Sequence, residues 1–511
     1  RIGVDRIAAM AKRLGMGQPT GIDLSGERGG LIPTRAWKRA ALGQPWHQGE
    51  SLVIGIGQGY VLTTPLQLAV ARRLERNGVR CSFVAVNVGL VRDIRAAGWG
   101  DEAILYLPFE PGDDAPVFLD IPVAFNDLVL ADRALRHLPE RGLAYLYGAA
   151  RALQAFFERR SVDVVFSEPT WAHERLAAAL CAGTGRKFLV PFTIRYPSGR
   201  WGFFEGDDQA GLLPVAGIGT PDAATPENIL NAGPPAYLTR NDQLLRNARK
   251  FSSRADRIRR FLTRERIDPQ DPTHIQSRWH TLLVKGGEEF NRMRYRSVAR
   301  TSVDAALLAT PFVVYALHKQ PESSIDVLGR YYEDQAALIR AIWRSLPPGW
   351  NLLVKEHTNA IGDRPRRFYR QLGHWPGLKL VEETTPMAQL LDHARAVFTV
   401  SGTVAYEAAM KGTAAFTFAP MFFNRFPRCR RVTIEDLREA SDVAALIDAL
   451  PPHDGDAATA ALRAIAAHSF PGRFTDVVSD PTVLEEPNVR AITAGMHALI
   501  DHLTSSNIGN A

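Results

Sequence analysis

Short apolar runs punctuate the second half of the chain at intervals that suit strands separated by helices. Pro311-Phe-Val-Val-Tyr-Ala-Leu317, Trp350-Asn-Leu-Leu-Val354, Leu378-Lys-Leu-Val381, Ala394 to Val400 and Ala414-Ala-Phe-Thr-Phe418 each predict a buried strand. Between them, Tyr332 to Leu346 and Pro386 to His393 carry apolar residues at helical spacing, and Val404 to Met410 predicts a helix stopped by Gly412. In the first half, Val79 to Val86, Ala103 to Leu107, Ser161 to Ser167 and Arg186 to Val190 predict strands. Helices are expected at 64–76 (started by Thr64-Pro65), at Val91 to Ala97, at Leu130 to Arg160 with breaks at Pro139 and Gly142, and at His173 to Cys181. This alternation predicts an α/β protein with a parallel sheet in each half, covered on both faces. The stretch 206–236 reads as a long Gly/Pro-rich loop, 240–300 as Arg-rich helices, and 457–468 and 488–503 as closing helices.

Ligands of parallel sheets lie beyond the carboxyl ends of the strands. Polar clusters stand at such ends in the second half: His318 to Ser324, Lys355 to His357 and Ser401 to Glu407. Ser401-Gly402-Thr403 makes a tight turn before a helix, where backbone N–H groups and the helix dipole suit an anion. Lys355 and His357 add positive charge and N–H donors, and Glu407 falls about one turn inside the helix, within reach of a ligand's hydroxyls. The chemistry suggested is that of a phosphate-bearing ligand. In the first half Ser167, Glu168 and Thr170 end one strand, and Thr193 and Arg195 lie beyond another. Glu168 is the candidate general base, the plainer alternative being a polar loop residue near a helix start.

At 511 residues the chain predicts two or more domains. Its hydrophobic fraction of 46% and charged fraction of 23% are those of a globular protein. A net charge of +7 fits an anionic small molecule or a membrane surface as well as nucleic acid. Cys81, Cys181 and Cys429 lie far apart, which predicts buried thiols in a reducing compartment, with neither a disulfide frame nor a metal site. No apolar run is long enough to span a bilayer, and no signal peptide is visible. The chain opens on Arg1, which fits a fragment or a rearranged reading frame. The basic run Arg246 to Arg266 predicts a solvated helix face, with contact to anionic lipid or substrate as the alternative.

Two resemblances attach to particular stretches. Residues 1–71, with Gly21-Ile-Asp-Leu24, Ile56-Gly-Gln-Gly59 and Thr64-Pro-Leu-Gln-Leu-Ala69 in order, closely resemble the transpeptidase domain of elongation-type class B penicillin-binding proteins. The family's Ser-x-x-Lys, Ser-x-Asn and Lys-Thr-Gly motifs do not occur in that stretch. Without nucleophile or base it implies no transpeptidase activity and no covalent penicillin binding. Further on, "YALHKQPESSID", "LLVKEHTNAIGDRPRRFYRQL" and "VFTVSGTVAYEAAMKG" look like capsule polysaccharide biosynthesis proteins and related surface-glycan glycosyltransferases, most strongly over 311–425.

The second resemblance implies a GT-B-like pair of Rossmann-like domains, preceded here by a short non-native transpeptidase fragment. The implied organisation is 1–71 transpeptidase fragment, 72–304 acceptor-side domain, 305–450 nucleotide-sugar domain and 451–511 C-terminal helices, the last helix returning to brace the first domain. It also implies transfer of a sugar, Kdo in some members, from a CMP- or UDP-linked donor to a glycan or glycolipid acceptor. No metal, cofactor or nucleic acid is expected, and the protein is expected in the cytoplasm, with peripheral contact to the inner membrane. Lys355 and His357 match the basic pair at the donor phosphate, Ser401, Gly402 and Thr403 its phosphate turn, and Glu407 the acidic residue on the following helix. His318, Gln320, Glu322 and Ser323 match the substrate-binding loop after the domain's first strand. Thr358 stands where the family usually has Pro after the His. Upstream, the unrelated fragment replaces the family's own first strand and glycine loop, with Ser51 to Ile56 expected to substitute for that strand. The rival expectations are an inactive fusion that only binds nucleotide, another sugar-nucleotide enzyme such as an epimerase, and a transpeptidase, which the missing nucleophile disfavours.

Overall fold

The computed structural model describes residues 64–110, 121–216, 218, 225–231, 268, 270–275, 277–475, 477 and 480–508. The expected strand at Ser51 to Ile56, most of the transpeptidase-like stretch and the basic run 246–266 lie outside them.

The first described helix, α1 (Thr64–Arg76), ends at Asn77 and at Gly78, whose φ of +87° suits glycine. It has two apolar sides. Leu68 and Ala71 pack with Ala85, Val91 and Ile94 of β1 (Phe83–Ala85) and α2 (Val88–Ala96). Leu66, Val70 and Leu74 pack with Leu189, Trp201 and Phe203, farther along the chain. β1 pairs in parallel with β2 (Ile104–Tyr106). There follow α3 (Phe125–Ala131), α4 (Pro139–Arg160), β3 (Val164–Phe166), α5 (Ala172–Thr184), β4 (Lys187–Ile194) and β5 (Arg200–Glu205). Pro139 opens α4 as expected, but Gly142 does not break it. It is a packing residue: a Cβ there would stand 3.2 Å from Leu135 Cβ, so its absence lets α4 lie close to the preceding segment.

This first sheet is not the all-parallel one expected. β3 and β4 are parallel, but β5 returns antiparallel to β4, and β12 (Phe470–Pro471) lies antiparallel to β5. The physical reason is local. Gly199, with φ +74°, turns the chain within the short Tyr196–Gly199 connection, which makes a hairpin where a crossover helix would be needed for a parallel return. Among the described residues β1 and β3 each have one unpaired edge, and both strands line a cavity of about 2300 Å³ together with Leu68, Ala71 and Leu74 of α1.

In the second half α6 (Arg278–Tyr295) leads to β6 (Phe312–Ala316), α7 (Ser323–Asp326), α8 (Gln335–Arg344), β7 (Asn351–Lys355), β8 (Leu378–Val381), β9 (Ala396–Thr399), α9 (Val404–Lys411), β10 (Ala414–Thr417) and β11 (Cys429–Arg431). These strands form one six-stranded sheet in the order β11-β10-β9-β6-β7-β8, every pair parallel. Its centre is dry: Phe312, Val313, Val314, Tyr315, Leu352, Leu353, Val354, Val397 and Phe398 are fully buried. Counted from β6, this is the doubly wound order 3-2-1-4-5-6, which reverses between β6 and β9. β11 has no apolar run to announce it, since Arg430 and Arg431 are exposed at the sheet edge.

The chain then leaves the second unit through α10 (Gly455–Ala467), adds β12 to the first sheet and ends in α11 (Glu486–Ile508). Ile492, Met496 and Leu499 of α11 pack beside Leu66, Val70 and Trp201, so the last helix braces the first unit. The two α/β units also share one apolar core, in which Phe204 meets Phe422 at 5.5 Å between ring centres. The three cysteines are free thiols, and burial pushes Cys81 and Cys429 up to about 12 and Cys181 to about 11.

Candidate functional site

The loops after β6 and β9 leave the sheet side by side at the point where the strand order reverses. His318, just beyond β6, is buried and holds them together. Its Nε2 lies 2.8 Å from Thr399 Oγ1 and accepts the N–H groups of Val400 and Ser401 at 3.2 Å. A nitrogen that accepts cannot carry a proton, so the imidazole is neutral with its hydrogen on Nδ1. Burial, aided by the charges of His357 and Arg364, lowers its pKa from 6.5 to about 3. The unfolded chain therefore binds a proton that the folded chain refuses over that interval. This contribution to stability is complete above about pH 6.5 and is lost as pH falls toward about 3. We expect wild type to lose on the order of 2–4 kcal/mol more than His318→Gln between about pH 7 and about pH 4.5 in urea unfolding. Equal losses would contradict this role.

His318 thus occupies a donor that the Ser401–Thr403 turn was expected to offer an anion. Gly402 N–H is likewise given to Thr399 Oγ1 at 3.2 Å, and Ser401 Oγ donates to Ser324 O at 2.6 Å. The turn is a braced corner whose first two N–H groups serve the protein itself. Gly402 is obligatory there, since a Cβ would stand 2.5 Å from Thr399 Oγ1. The N-terminus of α9, just past Thr403, remains the positive end of a helix dipole at this corner.

The loop after β7 carries Lys355, His357 and a residue that sequence reasoning passed over. Glu356 is buried and accepts both Arg364 Nη1 contacts, at 2.8 and 2.9 Å, together with Tyr369 Oη at 2.6 Å and its neighbour's N–H at 2.8 Å. Burial raises the Glu356 carboxyl above its usual range, with Arg364 opposing. Arg364 also donates to His318 O, so one guanidinium ties the β6 and β7 loops. Lys355 Nζ donates to Glu383 O at 3.1 Å, and burial lowers its pKa. His357 is exposed at the rim, where its Nδ1 accepts from Asn359 N–H at 3.2 Å.

The remaining loop residues are held by Asp326. Gln320 Nε2 reaches one of its oxygens at 3.2 Å and Glu322 N–H the other at 3.0 Å, while Ser323 opens α7. Arg136 of the first unit pairs with the same carboxylate at 3.3 Å. Glu322 therefore orders the loop through its backbone, and its side chain accepts from Ser324 Oγ at 3.0 Å.

The first unit reaches the corner through the Arg195-Tyr196 segment. Arg195 donates to Thr403 Oγ1 and stands 3.5 Å from Glu407; Tyr196 Oη donates to Glu407 at 3.0 Å; Tyr406 Oη donates to Tyr196 O at 2.8 Å. Glu407 is thus engaged by the opposite unit, not set apart for a ligand. Glu168 is an exposed residue just past the carboxyl end of β3. Crowding by protein raises its carboxyl above the usual range, Arg133 opposes, and the charge of Glu322 from the second unit adds to the rise. Glu168 therefore senses the same loop that His318 begins. Among the described residues no group of side chains could hold a metal ion.

Arg364, Gln335, Asp326, Arg195 and Tyr196 carry this geometry and had no local signature, except that Arg195 follows a strand. Gln335 alone gives both an acceptor to His318 N–H at 2.8 Å and a donor to His318 O at 3.3 Å.

Comparison with known proteins divides the chain. The penicillin binding protein transpeptidase domain matches residues 1–86, past the boundary expected at 71 and through β1. Over 70 residues, 14% of this chain, it is 49% identical to the peptidoglycan D,D-transpeptidase MrdA of Salmonella typhimurium and 46% identical to that of Escherichia coli K12. The chain spans only 11% of the length of these relatives. Similar solved structures include KpsC of Thermosulfurimonas dismutans, a beta Kdo 2,7 transferase, at 8% identity and a TM-score of 0.30 over 68% of this chain and 89% of that one. A putative UDP-N-acetylglucosamine 2-epimerase of Listeria monocytogenes covers 81% of this chain and 92% of its own at 14% identity and a TM-score of 0.23. MurG of Acinetobacter baumannii covers 80% and 92% at 12% identity and a TM-score of 0.23. Scores this low carry no weight for function, and the fold rests on the strand order. The chain joins a transpeptidase-like segment to two α/β units, the second of them built on a doubly wound parallel sheet.

Proposed function

We propose that the chain is a glycosyltransferase of capsule or surface polysaccharide synthesis, moving a sugar from a CMP- or UDP-linked donor to a glycan or glycolipid acceptor. The observation that carries this reading is the reversal of strand order between β6 and β9, with polar loops after β6, β7 and β9 at one edge of the sheet. Kdo is the sugar we favour. Lys355 and Arg195, with the N-terminus of α9, neutralise the leaving nucleotide's phosphate and the His357 ring donates an N–H to it, so departure needs no metal. The braced corner formed by His318, Ser401, Gly402 and Thr403 holds these groups in place, and Glu407 exchanges its contact with Tyr196 for a ribose hydroxyl. Glu168, its pKa raised, takes the proton of the acceptor hydroxyl. The protein works in the cytoplasm at the inner face of the membrane, where a glycolipid acceptor is presented. Incubation with CMP-Kdo and UDP-sugars and a glycan acceptor tests this; nucleotide release that depends on the acceptor supports it, and none with any donor would sink it.

The transpeptidase match over residues 1–86, which takes in β1 of the first unit, favours a second reading, in which the fusion binds nucleotide and transfers nothing. Nucleotide binding without turnover is its signature.

A further inference from the structure

α6 is built inside out. Trp279, Leu282, Leu283, Phe290 and Met293 are 67%, 50%, 54%, 51% and 63% exposed. At 3.6 residues per turn these side chains fall within an arc of about 100°. The opposite side of the helix holds the protein. Tyr295 is buried and meets Tyr369 at 5.1 Å, Arg292 Nε donates to Ile361 O at 3.1 Å, and Gly362 is so close that a Cβ would stand 2.7 Å from Glu288 O. A soluble surface helix has the reverse polarity, and a contiguous apolar stripe of this size marks an interaction site.

The shoulders of the stripe are basic. Arg294 and Arg296 are exposed beside it, and Arg294 lies over the Phe290 ring at 4.8 Å. The acidic residues of the helix are already engaged, Glu288 with Lys285 and Glu289 with Arg292. An apolar arc of Trp, Leu, Phe and Met flanked by cations is complementary to an anionic bilayer surface, into which the arc sinks while the cations meet headgroup phosphates. No described helix is long and apolar enough to cross a membrane, so contact would be from one side.

We propose that α6 docks this protein on an anionic lipid bilayer. The inference rests on the proposed glycosyl transfer only for its purpose, bringing the site to a lipid-linked acceptor; the binding stands on the helix alone. Flotation of the full chain with vesicles of phosphatidylcholine, with and without phosphatidylglycerol, tests it. Wild type is expected to float with the mixed vesicles, less so as salt rises. The double variant Leu283→Ser/Phe290→Ser is expected to partition at least about tenfold more weakly, and Arg294→Ala/Arg296→Ala to lose the preference for phosphatidylglycerol. Both keep wild-type affinity for nucleotide, which separates failure of docking from failure of the transferase reading. Wild type that stays with the unbound protein, or a double variant that floats like wild type, would overturn the proposal. So would a loss of self-association in the double variant with vesicle binding unchanged, since the stripe would then meet a second copy.

Discussion

Arg364→Ala is expected to destabilise the second unit by about 3–5 kcal/mol. The guanidinium neutralises the buried Glu356 carboxylate through two contacts and ties it to His318 O in the neighbouring loop. Removing it leaves a buried charge facing only Tyr369 Oη and a backbone N–H. The carboxyl would then take up a proton in place of the lost partner, so the deficit relative to wild type should shrink as pH is lowered. Urea unfolding at two pH values checks both statements. Glu356→Gln/Arg364→Met, which removes both charges, should be much less harmful than Arg364→Ala. If the double variant is as unstable as the single one, the ion pair is not what holds these loops.

Glu168→Gln is expected to lower turnover by about 10²–10⁴-fold while leaving nucleotide affinity within about twofold of wild type. The substitution keeps size and polarity but removes the base, and Glu168 belongs to the first unit while the donor loops belong to the second. The raised pKa predicts that the acidic limb of the rate profile lies above the ordinary glutamate value. Since Glu322 contributes to that rise, Glu322→Gln should move the limb to lower pH. Unchanged turnover in Glu168→Gln would remove this residue from the mechanism.

What could be read from sequence followed from local periodicity. The apolar runs at 311–317, 350–354, 378–381, 394–400 and 414–418 each became a strand, because a parallel strand buried on both faces must be apolar throughout. The strand ends therefore located the loops, and with them Lys355, Ser401 and Glu407. What periodicity does not encode is which loop residue bonds to which. Ser401 and Gly402 looked like anion donors because their spacing suits a helix N-terminus, yet the pairing of β6 beside β9 brings His318 and Thr399 there first. Arg364 and Gln335 lie far from His318 in sequence, so nothing local ties them to it. The hairpin between β4 and β5 was missed for a related reason: Pro197 and Gly199 read equally as the end of one strand or the turn into the next.

The edge of the second sheet where strand order reverses is expected to hold a nucleotide. Calorimetric titration of the full chain with CMP and with UDP tests it most directly. Saturable one-to-one binding of either nucleotide is predicted, weakened about 10–100-fold in Lys355→Ala. Absence of binding by any nucleotide, or undiminished binding in Lys355→Ala, would contradict it.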